Sequence, residues 1–351
     1  MLEVKALKFG GLTAKRPIVQ GGMGVGVSLS SLAGNVAKCG GIGTISGVHP
    51  GYREADFKEN PFRANLRAIG NELEKAKEIA NGGIIGFNFM TVMNHYEEYV
   101  KEAIAAGADF IVSGAGLPVN LAKYAAGTRA AILPIVSSAR ALKLIVKQWQ
   151  RADRLPDAVV VEGPLAGGHL GYPYGHLVDG TFDTLEDSLV DVVDYVRELE
   201  EKNGVKIPVI AGGGVRNHAD VERLMALGAS GVQVGTKFVA TEECDAAPAF
   251  KQAYLRSRKE DVQLIESPVG LAARAIRNSF LEKVEKQGRI PVQRCYQCMN
   301  HCKQAETKYC ISQALIDAVQ GREGLVFCGA NAYEIEKLST VEKVMQELCG
   351  E

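Results

Sequence analysis

Residues 207–241 read IPVIAGGGVRNHADVERLMALGASGVQVGTKFVAT, and this stretch decides the fold. An apolar run, Pro208–Ala211, ends in three glycines and predicts a buried strand. A helical pattern, Ala219–Leu227, follows it and stops at Gly228, a residue type that commonly ends helices. A second apolar run, Gly231–Gly235, predicts another strand. A strand, a helix and a strand in this order are typical of a parallel sheet.

The same alternation extends over most of the chain, and most of its apolar runs are continuous, as in strands with both faces buried. The predicted strands are Pro17–Gln20, Ile42–Ile45, Ile84–Asn88, Phe110–Ser113, Ala131–Val136, Ala158–Glu162, Pro208–Ala211 and Gly231–Gly235. The predicted helices are Leu29–Cys39 with Ser28 as N-cap, His95–Ala106, Ser138–Gln150, Thr184–Glu201 and Ala219–Leu227. Eight such units predict an α/β protein, a closed TIM (β/α)8 barrel over residues 1–243. The alternative is an open Rossmann-like sheet.

Two glycine-rich turns follow the seventh and eighth predicted strands. Gly212–Gly214 ends one strand, and Gly235-Thr236 ends the other. Glycine lets backbone N–H groups approach a phosphate closely, and TIM barrels commonly bind phosphate in these two loops. We therefore predict a phosphate site at this end of the barrel. The alternative is that both segments are only tight turns.

The composition excludes several classes of protein. The 351 residues are 46% hydrophobic and 23% charged, which is typical of a globular chain rather than a disordered one. Forty basic and 41 acidic residues give a net charge of -1, which argues against a general nucleic-acid binder. The N-terminus has no apolar signal region, and no apolar stretch approaches the ~20 residues that span a bilayer. We therefore expect a cytoplasmic protein without nucleic-acid or membrane partners.

Three segments interrupt the alternation of strands and helices. Residues 46–65 contain several glycines and prolines and are predicted to be a loop insertion. Residues 163–183 form a long glycine-rich loop after the sixth strand, on the face where TIM barrels carry their catalytic residues. From residue 244 the alternation stops, and residues 244–351 are predicted to form a mostly helical C-terminal segment with a cysteine-rich motif.

Several motifs at the predicted strand ends occur in the order of a known family. They are PIVQGGM at 17–23, GFNF at 86–89, SGAG at 113–116, EGPLAGGH at 162–169, AGGG at 211–214 and Gly235-Thr236. Together they resemble the FMN-dependent nitronate monooxygenase family, formerly 2-nitropropane dioxygenase, which also contains flavin-dependent enoyl-acyl-carrier-protein reductases. The resemblance covers roughly residues 5–285.

The resemblance implies that the barrel binds FMN. The residues implied are Gly22, Met23 and Asn88 near the isoalloxazine ring, Gly167 and Gly168 towards the ring and phosphate, and Gly213, Gly214, Gly235 and Thr236 at the phosphate. The last four agree with the phosphate site predicted from the glycine turns alone. Gln233 either hydrogen-bonds inside the barrel or fills a buried strand position.

His169 follows a Gly-Gly pair on the long loop after the sixth strand. An imidazole titrates near neutral pH, so it can take or donate a proton beside a flavin. The resemblance implies that His169 is the catalytic group, and the alternative is a structural histidine. Tyr172 and Tyr174 belong to the same loop, and we expect them to pack within it rather than to form a pocket wall.

Four cysteines near the C-terminus have the spacing C-x2-C-x3-C-x7-C: Cys295, Cys298, Cys302 and Cys310. Four thiolates can hold a [4Fe–4S] cluster or a zinc ion. The spacing resembles that of flavin barrel enzymes of the 2,4-dienoyl-CoA reductase group, which carry a cluster, whereas ordinary nitronate monooxygenases lack this tail. We predict a cluster; the alternatives are structural zinc, a site in which His301 replaces one thiolate, and free thiols.

Two arginines precede the cysteines in a segment that resembles the family's return to the barrel face. Arg274 and Arg277 are of the residue type that contacts anionic ligands. We expect them to make surface salt bridges instead, because that is the commoner role of a lone arginine.

These features predict an FMN-dependent oxidoreductase that oxidises alkyl nitronates at the flavin, with His169 handling the proton. One alternative is an NAD(P)H-dependent reductase of enoyl thioesters, including those on an acyl carrier protein. Another is an iron–sulfur flavoprotein that transfers electrons to a redox partner or senses redox state. The substrate, the electron donor and the oligomeric state, including a homo-oligomer, are left open by the sequence.

Overall fold

The computed structural model describes residues 5–300 and 302–351 and is built around a closed barrel of eight parallel strands. Strands β1 (Leu7–Phe9) and β2 (Leu12–Ala14) form an antiparallel hairpin before it. The next strands are β3 (Ile18–Gln20), β4 (Ile42–Ser46), β5 (Ile84–Met90), β6 (Phe110–Gly114), β7 (Ala131–Val136), β8 (Val159–Glu162), β9 (Gly168–Leu170), β10 (Val209–Gly212) and β11 (Gly231–Val234). Of these, β9 lies outside the barrel.

The barrel closes through pairing between its last and first strands. Val232 of β11 lies opposite Ile18 of β3, and Val234 lies opposite Gln20. All eight predicted strands are present, with bounds displaced by no more than two residues. An open Rossmann-like sheet would have two free edges, so this closure excludes that alternative.

Apolar side chains fill the amino-terminal half of the barrel. The cluster includes Val19, Ile42, Ile84, Phe110, Val112, Leu133, Val160 and Ile210. Leu7 and Phe9 of the β1–β2 hairpin join it, and the Phe9 and Phe110 rings meet edge to face at 6.0 Å. Because this end is plugged, the space for a ligand lies at the carboxyl ends of the strands, as in other TIM barrels.

The helices cover the outside of the barrel, and the last four lie in the C-terminal part. They are α1 (Ser30–Lys38), α2 (Pro61–Ala80), α3 (Tyr96–Ala105), α4 (Leu121–Tyr124), α5 (Ala139–Trp149), α6 (Tyr174–Asp179), α7 (Leu185–Asn203), α8 (His218–Ala226), α9 (Thr236–Val239), α10 (Pro248–Arg256), α11 (Ser279–Gln287), α12 (Ile311–Val319) and α13 (Val341–Cys349). The five predicted helices are present as α1, α3, α5, α7 and α8. No helix of the described chain has the length and apolar character needed to cross a membrane.

One predicted loop is shorter than expected. Residues 46–65 are not loop throughout, because α2 begins at Pro61. Proline suits the first position of a helix, where its missing N–H would have had no intrahelical partner. The Asn60 side chain caps this end by accepting the N–H of Arg63 at 3.2 Å. The loop that these prolines and glycines suggested therefore ends where α2 begins.

The cap predicted for α1 is wrong. The Ser28 hydroxyl does not cap the helix; it accepts the N–H of Met23 at 2.8 Å. The Asp245 carboxylate takes that role, accepting the N–H groups of Leu29 and Leu32 at 2.8 and 3.0 Å. A carboxylate at a helix N-terminus also interacts favourably with the helix dipole. The cap therefore comes from a distant part of the chain.

The C-terminal residues form strands as well as helices. Strands β12 (Val262–Glu266) and β13 (Ala272–Ile276) are joined in an antiparallel hairpin. Strand β13 also pairs with β9, and this pairing places Ala273 opposite His169. The loop predicted to carry the catalytic residue is thus held in a three-stranded sheet by the C-terminal part of the chain.

This sheet modifies two expectations. The segment 163–183 is not a continuous loop, because it contains β9 and α6. In the segment 244–351, α10–α13 cover only about a third of the residues, and loops and the β12–β13 hairpin make up most of the rest. The division of the chain into a barrel domain, 1–243, and a C-terminal segment stays a prediction, with the three-stranded sheet crossing its boundary.

Candidate active site

A cavity of about 450 Å³ opens at the carboxyl ends of the barrel strands. Its size is typical of small-molecule pockets, and active sites of TIM barrels lie at this end. All the residues predicted for flavin binding and catalysis line it: Gly22, Met23, Asn88, Gly167, Gly168, His169, Gly213, Gly214, Gly235 and Thr236. The structure brings these residues together, and their contacts with a flavin stay a prediction.

The glycine turns after β10 and β11 form one wall of this cavity. Gly213 and Gly214 have φ angles of +105° and +84°, a left-handed conformation that glycine adopts without steric cost. Within the described chain, the backbone N–H groups of Gly213, Gly214 and Gly235 donate to no protein acceptor. Free N–H groups in a cavity wall fit the oxygens of a phosphate, which accept several hydrogen bonds.

Two cationic side chains at this end were missed by the sequence analysis. Arg216 and Lys237 both line the cavity, directly beyond the two glycine turns. Arg216 lies 3.8 Å from a carboxylate oxygen of Glu334, and the Lys237 Nζ lies 2.7 Å from one of Glu347. A bound phosphate would compete with these two carboxylates for Arg216 and Lys237, since phosphate and carboxylate oxygens accept hydrogen bonds from the same cationic donors. The sequence signal that could have identified these two residues is their position directly after the glycine turns.

The residues predicted near a flavin ring lie beside the phosphate wall. A Cβ on Gly22 would lie 2.4 Å from the Asn88 Cβ, so no side chain fits at this position. The Met23 Sδ is 3.3 Å from the Cβ position of Gly235. Gln233 belongs to the same lining. The two sets of residues are therefore adjacent, as one ligand with a ring and a phosphate requires.

Residues Phe327–Asn331, which we call the closing segment, complete the cavity from the C-terminal part. The N–H of Ala330 donates to the Leu165 carbonyl at 3.1 Å. A Cβ on Gly167 would lie 2.7 Å from the Cys328 carbonyl carbon. Sequence reasoning missed these residues because they carry no motif and reach the barrel only through the tertiary fold.

His169 lies on β9 and is held by two neighbours. Its Nε2 is 2.8 Å from the Ser267 Oγ, and its ring meets the Phe327 ring edge to face at 5.0 Å. Burial lowers the pKa of His169 to about 4, because an apolar environment disfavours the charged imidazolium. The ring is therefore neutral at physiological pH.

Glu162 ends β8 and also lines the cavity. Burial raises the pKa of its carboxyl to about 7, since it disfavours the carboxylate. Tyr172 donates from its hydroxyl to the Glu162 backbone carbonyl at 3.1 Å and packs on Phe182, which fits the expected packing within the loop. Tyr174 is exposed. Glu162 stood in the quoted motif, but its acidity was not recognised as a feature of the site.

A family model described as "Nitronate monooxygenase" matches residues 5–351. The chain belongs to the nitronate monooxygenase family. The match extends beyond the barrel and includes both the closing segment and the cysteine motif. Family membership makes the protein an oxidoreductase and supports a flavin cofactor.

Curated relatives carry the same description. A "Probable nitronate monooxygenase" from Staphylococcus saprophyticus is 26% identical over 298 residues, which are 78% of this chain and 79% of the relative. One from Staphylococcus haemolyticus is 35% identical over 136 residues, which are 38% of this chain and 36% of the relative. The similarity to the first relative therefore extends over most of both proteins.

Solved structures share the fold. FabK from Thermotoga maritima superposes with a TM-score of 0.72 at 23% identity, covering 96% of this chain and 92% of that one. A nitroalkane oxidase from Streptomyces ansochromogenes superposes with a TM-score of 0.68 at 20% identity, covering 95% of both chains. At these identities the likeness concerns the fold and confirms the TIM barrel.

The cysteine motif of this family member gains no support as a metal site from the described geometry. Across residues 5–300 and 302–351, no three His, Cys, Asp or Glu side chains are grouped so that they could hold a metal ion. Burial raises the pKa of the Cys298 thiol to about 11, and Cys302 is exposed. The predicted replacement ligand His301 lies outside the described residues. A cluster or zinc ion on the four thiols stays a prediction.

The two arginines have different roles. Arg277 makes the expected surface salt bridge, with its Nε 3.3 Å from a carboxylate oxygen of Glu282. For Arg274 the expectation is wrong, because its side chain is buried and donates to the carbonyl of Ala166. Burial lowers the pKa of Arg274. This residue therefore braces the segment before His169 rather than meeting solvent.

Proposed function

We propose that the protein is an FMN-dependent oxidoreductase that oxidises alkyl nitronates, with His169 handling the proton. One observation carries the proposal: a single cavity joins the glycine turns after β10 and β11 to a half-buried histidine on β9. Family membership and the relatives described as nitronate monooxygenases support nitronates as the substrate class. A nitronate is a small anion, and the cavity has the size of a small-molecule pocket.

The described residues fit FMN on two counts. The free N–H groups of Gly213, Gly214 and Gly235 suit a phosphate, and Arg216 and Lys237 add positive charge at the same end. At Gly22 no side chain fits against Asn88, so the backbone itself lines the cavity where a ring would lie. When bound, FMN would supply the redox chemistry, because its ring can accept electrons from an organic substrate.

His169 would act in its uncharged form. Its pKa of about 4 leaves the ring with one hydrogen and one free lone pair at neutral pH. The ring can therefore donate a hydrogen bond or accept a proton without first losing one. Phe327 and Ser267 fix the plane of the ring, so its remaining nitrogen, Nδ1, has a constant position. Constant positioning is what a proton-handling group requires.

The second candidate is NAD(P)H-dependent reduction of an enoyl thioester, with a small molecule or an acyl carrier protein as substrate. Glu162 is the observation that favours it. Above its pKa of about 7, this half-buried carboxyl would be charged and would repel an anionic nitronate but not a neutral thioester. The third function, electron transfer through an iron–sulfur cluster, has no geometric support in the described residues.

Anaerobic flavin reduction separates the first two functions. The protein is mixed without oxygen with propyl-2-nitronate in one experiment and with NADPH in another, and the visible spectrum is followed. Bleaching by the nitronate, with none by NADPH, supports the proposal. Bleaching by NADPH, followed by reoxidation with crotonyl thioester, would overturn it in favour of the reductase. The spectrum before mixing reports whether the purified protein contains flavin.

Metal analysis decides the role of the cysteine motif. Protein purified without oxygen is assayed for iron, acid-labile sulfide and zinc. Iron together with sulfide supports the predicted cluster, and zinc alone supports a structural zinc site. If neither metal is found, the four cysteines are free thiols: Cys295, Cys298, Cys302 and Cys310. The proposed oxidation of nitronates uses none of these thiols.

A further inference from the structure

We propose that the cavity binds the alkyl chain of its substrate along an apolar wall, to which the C-terminal part contributes, so that nitronates with chains of several carbons are preferred over the shortest ones. The inference rests on the proposed function and specifies its substrate class. The apolar wall consists of six residues that line the cavity: Val25, Val27, Val48, Phe250, Tyr254 and Leu315.

Two helices of the C-terminal part supply three residues of the apolar wall. Phe250 and Tyr254 stand four positions apart on α10, a spacing that places them on one face of a helix, and their ring centroids are 6.0 Å apart. Leu315 of α12 lines the same cavity. The exposed fractions of these residues are 5%, 3% and 8%, so they belong to the interior of the molecule rather than to its surface.

The loops after β3 and β4 supply the remaining three residues. Val25 and Val27 are buried in the loop after β3, and Val48 is half-buried in the loop after β4. Met23, which is predicted to lie near a flavin ring, precedes Val25 in the same loop and lines the same cavity. The apolar wall therefore begins beside the predicted ring site.

Two polar groups of the apolar wall are already hydrogen-bonded within the protein. The Tyr254 hydroxyl donates to the Phe327 carbonyl at 2.6 Å. The Val27 carbonyl accepts the N–H of Asp245 at 3.2 Å and the thiol of Cys244 at 3.4 Å. Because these groups have their partners, the wall offers a ligand mainly C–H surface, against which an alkyl chain is more favourable than water.

Phe327 joins the apolar wall to the residue proposed to handle the proton. Its carbonyl accepts the Tyr254 hydroxyl, and its ring meets the His169 ring edge to face at 5.0 Å. A nitronate that reacts beside His169 can therefore extend its alkyl chain along the wall. Each added methylene removes more apolar surface from water, so the wall selects substrates by chain length.

Chain length provides the first measurement. The kcat/KM of the holoprotein is determined for primary nitronates from ethyl to hexyl. We expect it to rise about fourfold with each added methylene, because the burial of one methylene group stabilises the bound state by an amount equivalent to about this factor. A constant or falling kcat/KM over the series would overturn the inference.

Leu315→Trp tests the apolar wall itself, because the larger side chain takes up space beside α12. We expect the ratio of kcat/KM for hexyl nitronate to that for ethyl nitronate to fall about tenfold or more. Leu315→Phe is a smaller change and should lower the ratio in the same direction. Leu144→Trp adds the same side chain at an exposed position of α5 and should keep the original ratio. An unchanged ratio in both Leu315 variants contradicts the inference.

Titration with FMN distinguishes a site for the chain from a site for the flavin ring. The affinity of the Leu315→Trp apoprotein for FMN is compared with that of the unsubstituted apoprotein. Equal affinity, together with a lower hexyl-to-ethyl ratio, supports the inference. Weaker FMN binding, with the same loss of kcat/KM for every nitronate, would mean that the wall holds the ring instead of the chain.

A series of carboxylates separates this inference from the proposed function. A carboxylate, like a nitronate, is a planar anion with two oxygens, and it serves as an unreactive analogue. Binding of butanoate, hexanoate and octanoate to the holoprotein is followed by the change in the flavin spectrum. We expect affinity to rise with chain length, and to rise less in Leu315→Trp; equal affinities over the series would contradict the inference. If no nitronate is oxidised, the proposed function fails, whereas this series still decides whether the wall binds a chain.

Discussion

A Cβ atom on Gly167 would lie 2.7 Å from the carbonyl carbon of Cys328, so the segment before His169 and the closing segment meet through their backbones. Real Cβ atoms do not approach backbone atoms this closely, and glycine is required on one side of the contact. The contact joins residues 161 positions apart. At this contact the C-terminal part of the chain completes the lining of the cavity formed by the barrel.

We expect Gly167→Ala to weaken FMN binding about tenfold or more. Forcing extra atoms into a packed contact typically costs about 1–3 kcal/mol, and a tenfold change in affinity corresponds to about 1.4 kcal/mol. The measurement is titration of the apoprotein with FMN, followed by flavin fluorescence. Gly175→Ala is the matched control, since a Cβ on Gly175 would meet nothing within 4 Å. Equal affinity in the two variants would show that the Gly167 contact does not support the cavity.

His169→Ala should leave FMN bound while it lowers turnover of a nitronate by about 10²–10⁴-fold, the usual contribution of a positioned acid or base. Steady-state rates at saturating substrate and the visible spectrum of the variant provide the two readings. His176→Ala changes an exposed histidine on α6 and should leave both unchanged. Full turnover in His169→Ala would assign the histidine a structural role only.

Glu162 makes stability depend on pH. The pKa of its carboxyl is about 7 in the folded protein against 4.5 ordinarily, because burial disfavours the charge. The folded state therefore retains a proton that the unfolded chain releases, and this contribution to the free energy of unfolding declines as pH rises from about 4.5 to about 7. Burial lowers the pKa of His169 from 6.5 to about 4, so this residue has the opposite effect. Its contribution to stability is lost as pH falls from about 6.5 to about 4.

Replacement of Glu162 isolates its contribution. Relative to the unsubstituted protein, Glu162→Gln should gain stability as pH rises from 5 to 8, because Gln cannot ionise. Urea unfolding at several pH values measures the difference. Glu201→Gln, which changes an exposed carboxylate on α7, is the control and should follow the unsubstituted protein. Parallel curves for Glu162→Gln would mean that folding does not raise the pKa of the Glu162 carboxyl.

Asp245→Ala should lower the free energy of unfolding by about 2 kcal/mol, because it removes a charged cap that accepts several N–H groups at the start of α1. Chemical denaturation followed by circular dichroism measures the change. Asp191→Ala removes an exposed carboxylate from α7 and should change stability by less than about 0.5 kcal/mol. Equal effects of the two substitutions would show that the Asp245 cap adds little.

Much of the fold and of the candidate site could be predicted because the information was local. The barrel strands are continuous apolar runs, and the glycine turns at Gly212–Gly214 and Gly235-Thr236 stand directly at their ends. Since parallel strands of a barrel end on one face, the turns had to meet there. The helix α2 was partly missed because Pro61 is both a loop residue and a good first residue of a helix.

By itself, the sequence determined the barrel, the family and many of the residues that face one cavity. The partners of those residues were decided by the tertiary structure alone. Ser267 is 98 positions from His169, and Asp245 is 216 from Leu29. No periodic pattern in the sequence predicts such pairs, because they depend on how β13 pairs with β9 and how the C-terminal part folds back. The raised pKa of Glu162 and the lowered pKa of His169 follow from that packing, since burial sets both.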